Sequence, residues 1–232
     1  MILFYQPRIK EGAHILDPDE SRHCVKVLRH KAGDKLNLTD GSGSFYEAVI
    51  TSDDSRKCEF EITGEHRVPE RNYRIHIAVA PTRNIDRMEW FVEKAVEIGV
   101  DIVTFMRCTH SERTAVRTER LQKVAVSAMK QSLRATLPEI RGLVTFADLL
   151  STAEEAQRFI ATANLNDPKH LMQQAARGSA YCVLIGPEGD FSGEEIDHAL
   201  ETGFEPVSLG SHRLRTETAA LTATQVLNLV NL

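Results

Sequence analysis

From residue 73 onward, short apolar runs alternate with amphipathic stretches, and this alternation restricts the fold more than any other feature. Residues 75–80, 102–106, 158–163, 181–185 and 206–209 read as strands. Between them, residues 86–98 place Met88, Phe91, Val92, Ala95 and Ile98 on one helical face, closed by Gly99. Residues 118–135, 192–202 and 216–230 are the further helices, and Ser192 and Glu195 have the spacing of a capping box. Strands joined by helices need crossover connections. The expected fold is therefore α/β, a mostly parallel sheet covered on both faces.

Residues 1–72 read differently. Leu36 and Leu38 alternate with polar neighbours, Asp40-Gly41-Ser42-Gly43 supplies a turn, and residues 45–50 and 58–62 are short strands around the polar stretch 51–57. Such closely spaced strands suggest a small β barrel or sandwich. The polar, proline-bearing stretch 68–72 is the expected linker, which puts a β domain at 1–72 and an α/β domain at 73–232.

No apolar run approaches the roughly 18 residues of a membrane span, and Gln6, Pro7 and Arg8 interrupt the apolar opening before it reaches signal-peptide length. Cys24, Cys58, Cys108 and Cys182 stand singly, without zinc spacing or a dense disulfide pattern. Reduced thiols in a cytoplasmic protein are the expectation. The nine histidines show no ligand spacing, so no metal is expected.

Ligands of parallel α/β sheets sit beyond the carboxyl ends of the strands, and two such ends are unusual here. Residues 183–191 (Val-Leu-Ile-Gly-Pro-Glu-Gly-Asp-Phe) leave a buried strand, with glycines that let backbone approach a ligand. Glu188 and Asp190 argue against a phosphate loop and favour a ligand with hydroxyls, an amine or a positive centre. No dinucleotide or NTP glycine motif is present. Residues 209–219 (Leu-Gly-Ser-His-Arg-Leu-Arg-Thr-Glu-Thr-Ala) lead into the last helix, with Thr216 placed to cap it and Glu217 in its first turn. Arg213 and Arg215 oppose the helix dipole there, which a carboxylate or an anionic ligand group would explain.

Ile185-Gly186-Pro187-Glu188-Gly189 together with Leu209-Gly210 and residues 214–219 resembles the signature of the RsmE family, SPOUT-class methyltransferases acting on N3 of a uridine in bacterial 16S ribosomal RNA. His23, residues 26–29 and Gly33-Asp34 are similar to that family's PUA-like N-terminal domain; residues 93–100 and 131–134 are similar to its first two helices. The resemblance implies a PUA-like β-barrel domain, a trefoil-knotted α/β domain, S-adenosyl-L-methionine as cofactor, and a homodimer. It implies a cofactor pocket of Leu184, Gly186, Pro187, Glu188, Gly189, Leu209, Gly210, Leu214, Thr216, Thr218 and Ala219. The family usually carries Gly where this chain has Asp190, and an aliphatic residue where it has Arg213.

Methylating the N3 imide nitrogen requires loss of its proton and a cation for the developing oxyanion. Arg215 is the first candidate for that cation and Glu217 a possible base, although capping also explains Glu217. RNA needs cations against phosphate. The net charge is −5, but residues 73–142 carry 12 basic and 8 acidic residues, whereas 143–232 carry 5 and 12. Arg120, Lys123, Lys130 and Arg134 share a helical face with Gln131, and Arg22, Lys26 and Arg29 form a second cluster in the β domain. The substrate expected is 16S rRNA in the small subunit or its late precursor. A SPOUT enzyme for another RNA and a non-enzymatic assembly factor are the alternatives.

Overall fold

The computed structural model describes residues 2–164 and 167–232. It divides into two compact units, Met1–Glu70 with Val126–Leu137, and Arg71–Ala125 with Pro138–Leu232.

In the first unit, β1 (Leu3–Tyr5), β2 (Lys35–Thr39), β3 (Ser44–Asp54) and β4 (Lys57–Arg67) form one sheet in that order. β1 runs parallel to β2, and the remaining pairs are antiparallel. Tyr46, Ala48 and Ile50 alternate inward and meet Phe4, Leu16, Leu36, Leu38 and Phe60 in the core. The polar stretch 51–57 is the tip of the β3–β4 hairpin, where ladder bonds continue without apolar side chains.

Helix α1 (Pro18–Arg22) starts where the Asp17 carboxylate accepts the amides of Asp19 and Glu20, with proline in the first turn. It continues into a π-helical turn, His23–Val27. Segment 126–137 closes on the turn after β2: Gly43 N–H and the Thr39 hydroxyl donate to the Ala135 carbonyl, and Leu137 N–H donates to Gly41. Asp40, inside that turn, accepts from Ser42 and Tyr46 and pairs with Lys10 at 2.8 Å. Burial alone would raise its carboxyl; Lys10 and Ser42 outweigh burial and hold it at about 2.

The second unit contains β5 (Arg74–Val79), α2 (Ile85–Ile98), β6 (Ile102–Arg107) and the start of α3 (Thr118–Gln131). Next come β7 (Glu139–Thr145), α4 (Phe146–Thr152), β8 (Gln157–Ala161) and α5 (Leu171–Gln174). It ends with β9 (Ala180–Ile185), α6 (Gly193–Glu201), β10 (Glu205–Val207) and α7 (Thr216–Val230). The sheet order is β10-β8-β9-β5-β6-β7, and every pairing is parallel. α2 and α7 pack together, with α7 against β5 and β9, while α4 lies against β6 and β7. Phe146, Leu149, Ile160, Leu184, Phe191, Ile196 and Phe204 fill a continuous core.

Helix α3 stops at Gln131 rather than at residue 135. Leu133 takes a left-handed φ of 55°, Arg134 N–H donates to the Met129 carbonyl and Leu133 N–H to Lys130. This is a Schellman termination with leucine where glycine is usual. Arg134 is therefore off the helical stripe on which periodicity placed it.

A polar cluster lies inside the sheet. His76 bonds Glu155 Oε1 through Nδ1 at 2.6 Å and Thr104 Oγ1 through Nε2 at 2.7 Å. Burial raises the Glu155 carboxyl, and the opposing pull of His76 leaves it below its ordinary value of 4.5. A lowered folded value stabilises the protein above about pH 4.5, and that contribution is lost as pH falls through the folded value. His76→Ala should cost about 3 kcal/mol or more by leaving the carboxylate buried and unpaired. Urea unfolding followed by the single tryptophan, Trp90, measures this. Glu155→Gln should flatten the acid limb of the stability curve.

Candidate functional site

The carboxyl ends of β8, β9 and β10 open onto a cavity of about 910 Å³. Gly186, Pro187, Glu188, Gly189, Leu209, Gly210, Leu214, Arg215, Thr216 and Ala219 lie on its wall, so the fold brings together most of the residues expected there. Leu184 is fully buried in β9 instead, and Thr218 and Glu217 are not on the wall.

Local sequence explains the two main loops. After β9, Asp190 N–H closes a turn onto the Pro187 carbonyl, and Ser192 then begins α6 with both bonds of the expected capping box. A Cβ at Gly186 would stand 3.0 and 3.1 Å from atoms of the buried Phe191 ring, so only glycine fits without movement. After β10, Gly210 adopts φ 139°, a conformation unfavourable to residues with a side chain.

Thr216, expected as the N-cap of α7, is its first helical residue, and Arg215 is the N-cap without a side-chain capping bond. The Thr216 hydroxyl donates instead to the Gly186 carbonyl at 3.0 Å, a buried bond between the two loops. Arg213 makes a second tie, donating through Nη2 to the Glu188 carbonyl at 2.7 Å. That main-chain acceptor explains a cation the helix dipole disfavours. Arg215 is exposed on the cavity wall, and among the described residues its side chain has no ion pair or hydrogen bond.

Glu217 is buried in the first turn of α7, with Oε1 3.8 Å from Arg87 Nε and Oε2 without a hydrogen-bond partner among the described residues. It does not lie on the cavity wall, where a base would have to meet the substrate. Arg87, from the first turn of α2, lines the cavity and also meets Glu188 Oε1 at 3.3 Å. Nothing near it in sequence marks it. The loop after β8 was also missed: Thr162, Ala163 and Asn164 form a further wall.

The basic residues divide into committed and uncommitted groups. In the second unit, Arg120 is paired with Glu89 at 2.5 Å and with Asp86 at 3.8 Å, while Lys123 is exposed. In the first unit, Lys130 is ion-paired with Glu20, and Arg134 reaches Thr136. Gln131, Arg22, Lys26 and Arg29 are exposed there, Arg29 with a left-handed φ of 63°. Arg22, Lys26, Arg29 and Lys123 have no ion pair among the described residues. Away from the cavity, the fold also assembles His76, Glu155 and Cys182, with ligand atoms within 4.8 Å of one another. Sequence spacing gave no sign of this cluster.

Gly186→Ala should destabilise the second unit by about 1–3 kcal/mol, because the fully packed Phe191 ring must shift. Gly193→Ala, where an added Cβ meets nothing within 4 Å, should be neutral or stabilising. Parallel denaturation curves of the two variants test this difference.

Residues 69–228 match the family described as RNA methyltransferase domain, and residues 16–63 match RNA methyltransferase PUA domain. The ribosomal RNA small subunit methyltransferase E of Aquifex aeolicus is 29% identical over 98% of this chain and 99% of its own length. A probable rRNA-methyltransferase of Porphyromonas gingivalis has a crystal structure similar at TM-score 0.94 and 45% identity, covering 100% of this chain and 98% of that one. A ribosomal RNA small subunit methyltransferase E of Neisseria gonorrhoeae, bound to S-adenosyl methionine, is similar at TM-score 0.85 and 29% identity, with coverage of 100% and 98%. With its cavity loops, its PUA-type sheet unit and matches that span both, the chain belongs to the RNA methyltransferase family of the RsmE type.

Proposed function

We propose that this protein is an S-adenosylmethionine-dependent methyltransferase that modifies N3 of a uridine in 16S ribosomal RNA. The carrying observation is that Arg215, whose side chain has no ion pair or hydrogen bond among the described residues, stands on the wall of a cavity of about 910 Å³ at the carboxyl ends of β8, β9 and β10. Gly186, Gly189 and Gly210 add no side chain to the wall, which leaves room for a ligand to approach the backbone closely. In this reading Gly186, Pro187, Gly189, Leu209, Gly210, Leu214 and Ala219 hold it, and Glu188 supplies negative charge. Leu184 and Thr218 support the wall from behind.

When bound, the cofactor supplies a methyl group on a sulfonium, an electrophile that needs no Lewis acid. For the methyl group to pass to uracil N3, the N3 proton would pass to solvent water and the cofactor would leave as its neutral thioether. Arg215 stabilises the negative charge that spreads to the uracil oxygens. Glu217 acts through Arg87, fixing the guanidinium that braces Glu188. Lys123 and the Arg22, Lys26 and Arg29 cluster meet RNA phosphates. The packing of α7 against β5 and β9 is compatible with the knot that the resemblance implies. Exposed Trp90 on α2 and Leu229 on α7 offer apolar surface to a second copy. The setting is the cytoplasm.

Incubation with methyl-labelled cofactor and small subunits lacking the modification, followed by nucleoside analysis, should give 3-methyluridine. Label at a ribose or in tRNA would overturn the assignment, and no label would favour an assembly factor. Arg215→Ala should lower kcat about 100-fold or more while cofactor affinity changes little. For RNA binding, Lys26→Ala or Lys123→Ala should reduce the salt slope by about 1, whereas Arg120→Ala, whose charge is already paired, should leave it unchanged.

A further inference from the structure

The loops after β8 and β9 are far apart in sequence, yet one side chain joins them. Asp190 Oδ2 accepts the Thr162 hydroxyl and the Ala163 amide, each at 3.0 Å, while Oδ1 accepts the Phe191 amide at 2.8 Å. Its carbonyl accepts from His110 Nδ1 at 2.9 Å, and the Thr162 hydroxyl in turn accepts the Asn164 amide. Thr162, Ala163, Asn164 and Asp190 all line the cavity. Asp190 holds a left-handed φ of 61°, for which glycine is the unstrained choice. Glycine would relax that backbone but would have no carboxylate to reach Thr162. The chain keeps a strained aspartate where only a side chain can bridge two walls.

We propose that Asp190 is a positioning residue for cofactor binding: its carboxylate locks the loop after β8 onto the loop after β9 and so pre-forms the cavity before the ligand enters. This rests on the cofactor reading above. Both carboxylate oxygens are already engaged by protein donors, so the group acts on the wall rather than on the ligand. Pre-formed walls spare the ligand the cost of ordering them, so the loss of the lock appears in affinity.

The test compares Asp190→Gly, Asp190→Asn and Thr162→Val by calorimetric titration with S-adenosylmethionine and with its demethylated product, S-adenosylhomocysteine. Asparagine tolerates the left-handed backbone but has one acceptor oxygen: turned toward Thr162 and Ala163 it sets its NH2 against the Phe191 N–H, and turned the other way it sets it against the Ala163 N–H, so it weakens the lock without changing the backbone preference. Asp190→Gly should weaken the two ligands equally, by about tenfold, with KM raised and kcat retained, and Asp190→Asn should weaken both by less. Thr162→Val should show a smaller loss in the same direction. Wild-type affinity in both Asp190 variants would overturn the proposal. Weakening confined to the sulfonium ligand would also overturn it, because it would mean direct contact with the positive centre. Failure of the wild-type protein to bind either ligand would instead overturn the cofactor reading.

Discussion

An all-parallel sheet covered on both faces leaves almost no place for polar chemistry along its strands, and the organisation of the larger unit follows from that constraint. Ile75, Ile77, Val79, Tyr181, Val183 and Leu184 are completely buried. The histidine admitted to the centre, His76, has both ring nitrogens occupied by Glu155 and Thr104. Polar and flexible residues are displaced to the strand ends, where β8, β9 and β10 finish around one cavity. The cavity position is thus a consequence of burial upstream of it.

Loops displaced in this way are held by few contacts, and here they are held by a small set of specific ones. Thr216 fastens the start of α7 to the Gly186 carbonyl, and Arg213 fastens the preceding residues to Glu188. Arg87 bridges Glu188 and Glu217, and Asp190 attaches the third wall. A buried neutral hydrogen bond such as that of Thr216 contributes on the order of 1 kcal/mol net. Its larger effect is geometric, since two chain segments about thirty residues apart are aligned at a single carbonyl. Among these arginines only Arg215 is left uncommitted, which singles it out for work on a ligand.

Features governed by short-range physics were legible in the sequence. The Ser192–Glu195 box, the apolar face of α2 and the start of α7 appear in the structure where spacing placed them. The apolar strands β5, β6, β8 and β9 were legible too, but elements that depend on distant pairing more than on their own pattern were not. β1 is three residues long, β7 has a mostly half-exposed pattern without clear alternation, and segment 126–137 joins the first unit through bonds to residues 39–43. Arg87 and Thr162 reach the cavity from positions 101 and 28 residues away from their partners Glu188 and Asp190, and no local pattern records that. Thr216 illustrates the subtler failure. Its identity and place fit a cap, but a buried carbonyl from a distant loop competed for the same hydroxyl.

Charge shows the same limit. Counting Arg120, Lys130 and Arg134 along one helical face treats each as available to phosphate. In the folded protein Arg120 is held by Glu89 and Asp86, Lys130 by Glu20, and Arg134 stands beyond the helix end. A paired cation releases fewer counterions when it meets a phosphate, because its own field is already partly cancelled. If the proposed RNA reading holds, Lys123, Arg22, Lys26 and Arg29 carry more of the attraction than their share of the basic residues suggests. The acidic total of −5 is a poor guide for the same reason. What a polyanion encounters is the set of cations that the fold has left unpaired.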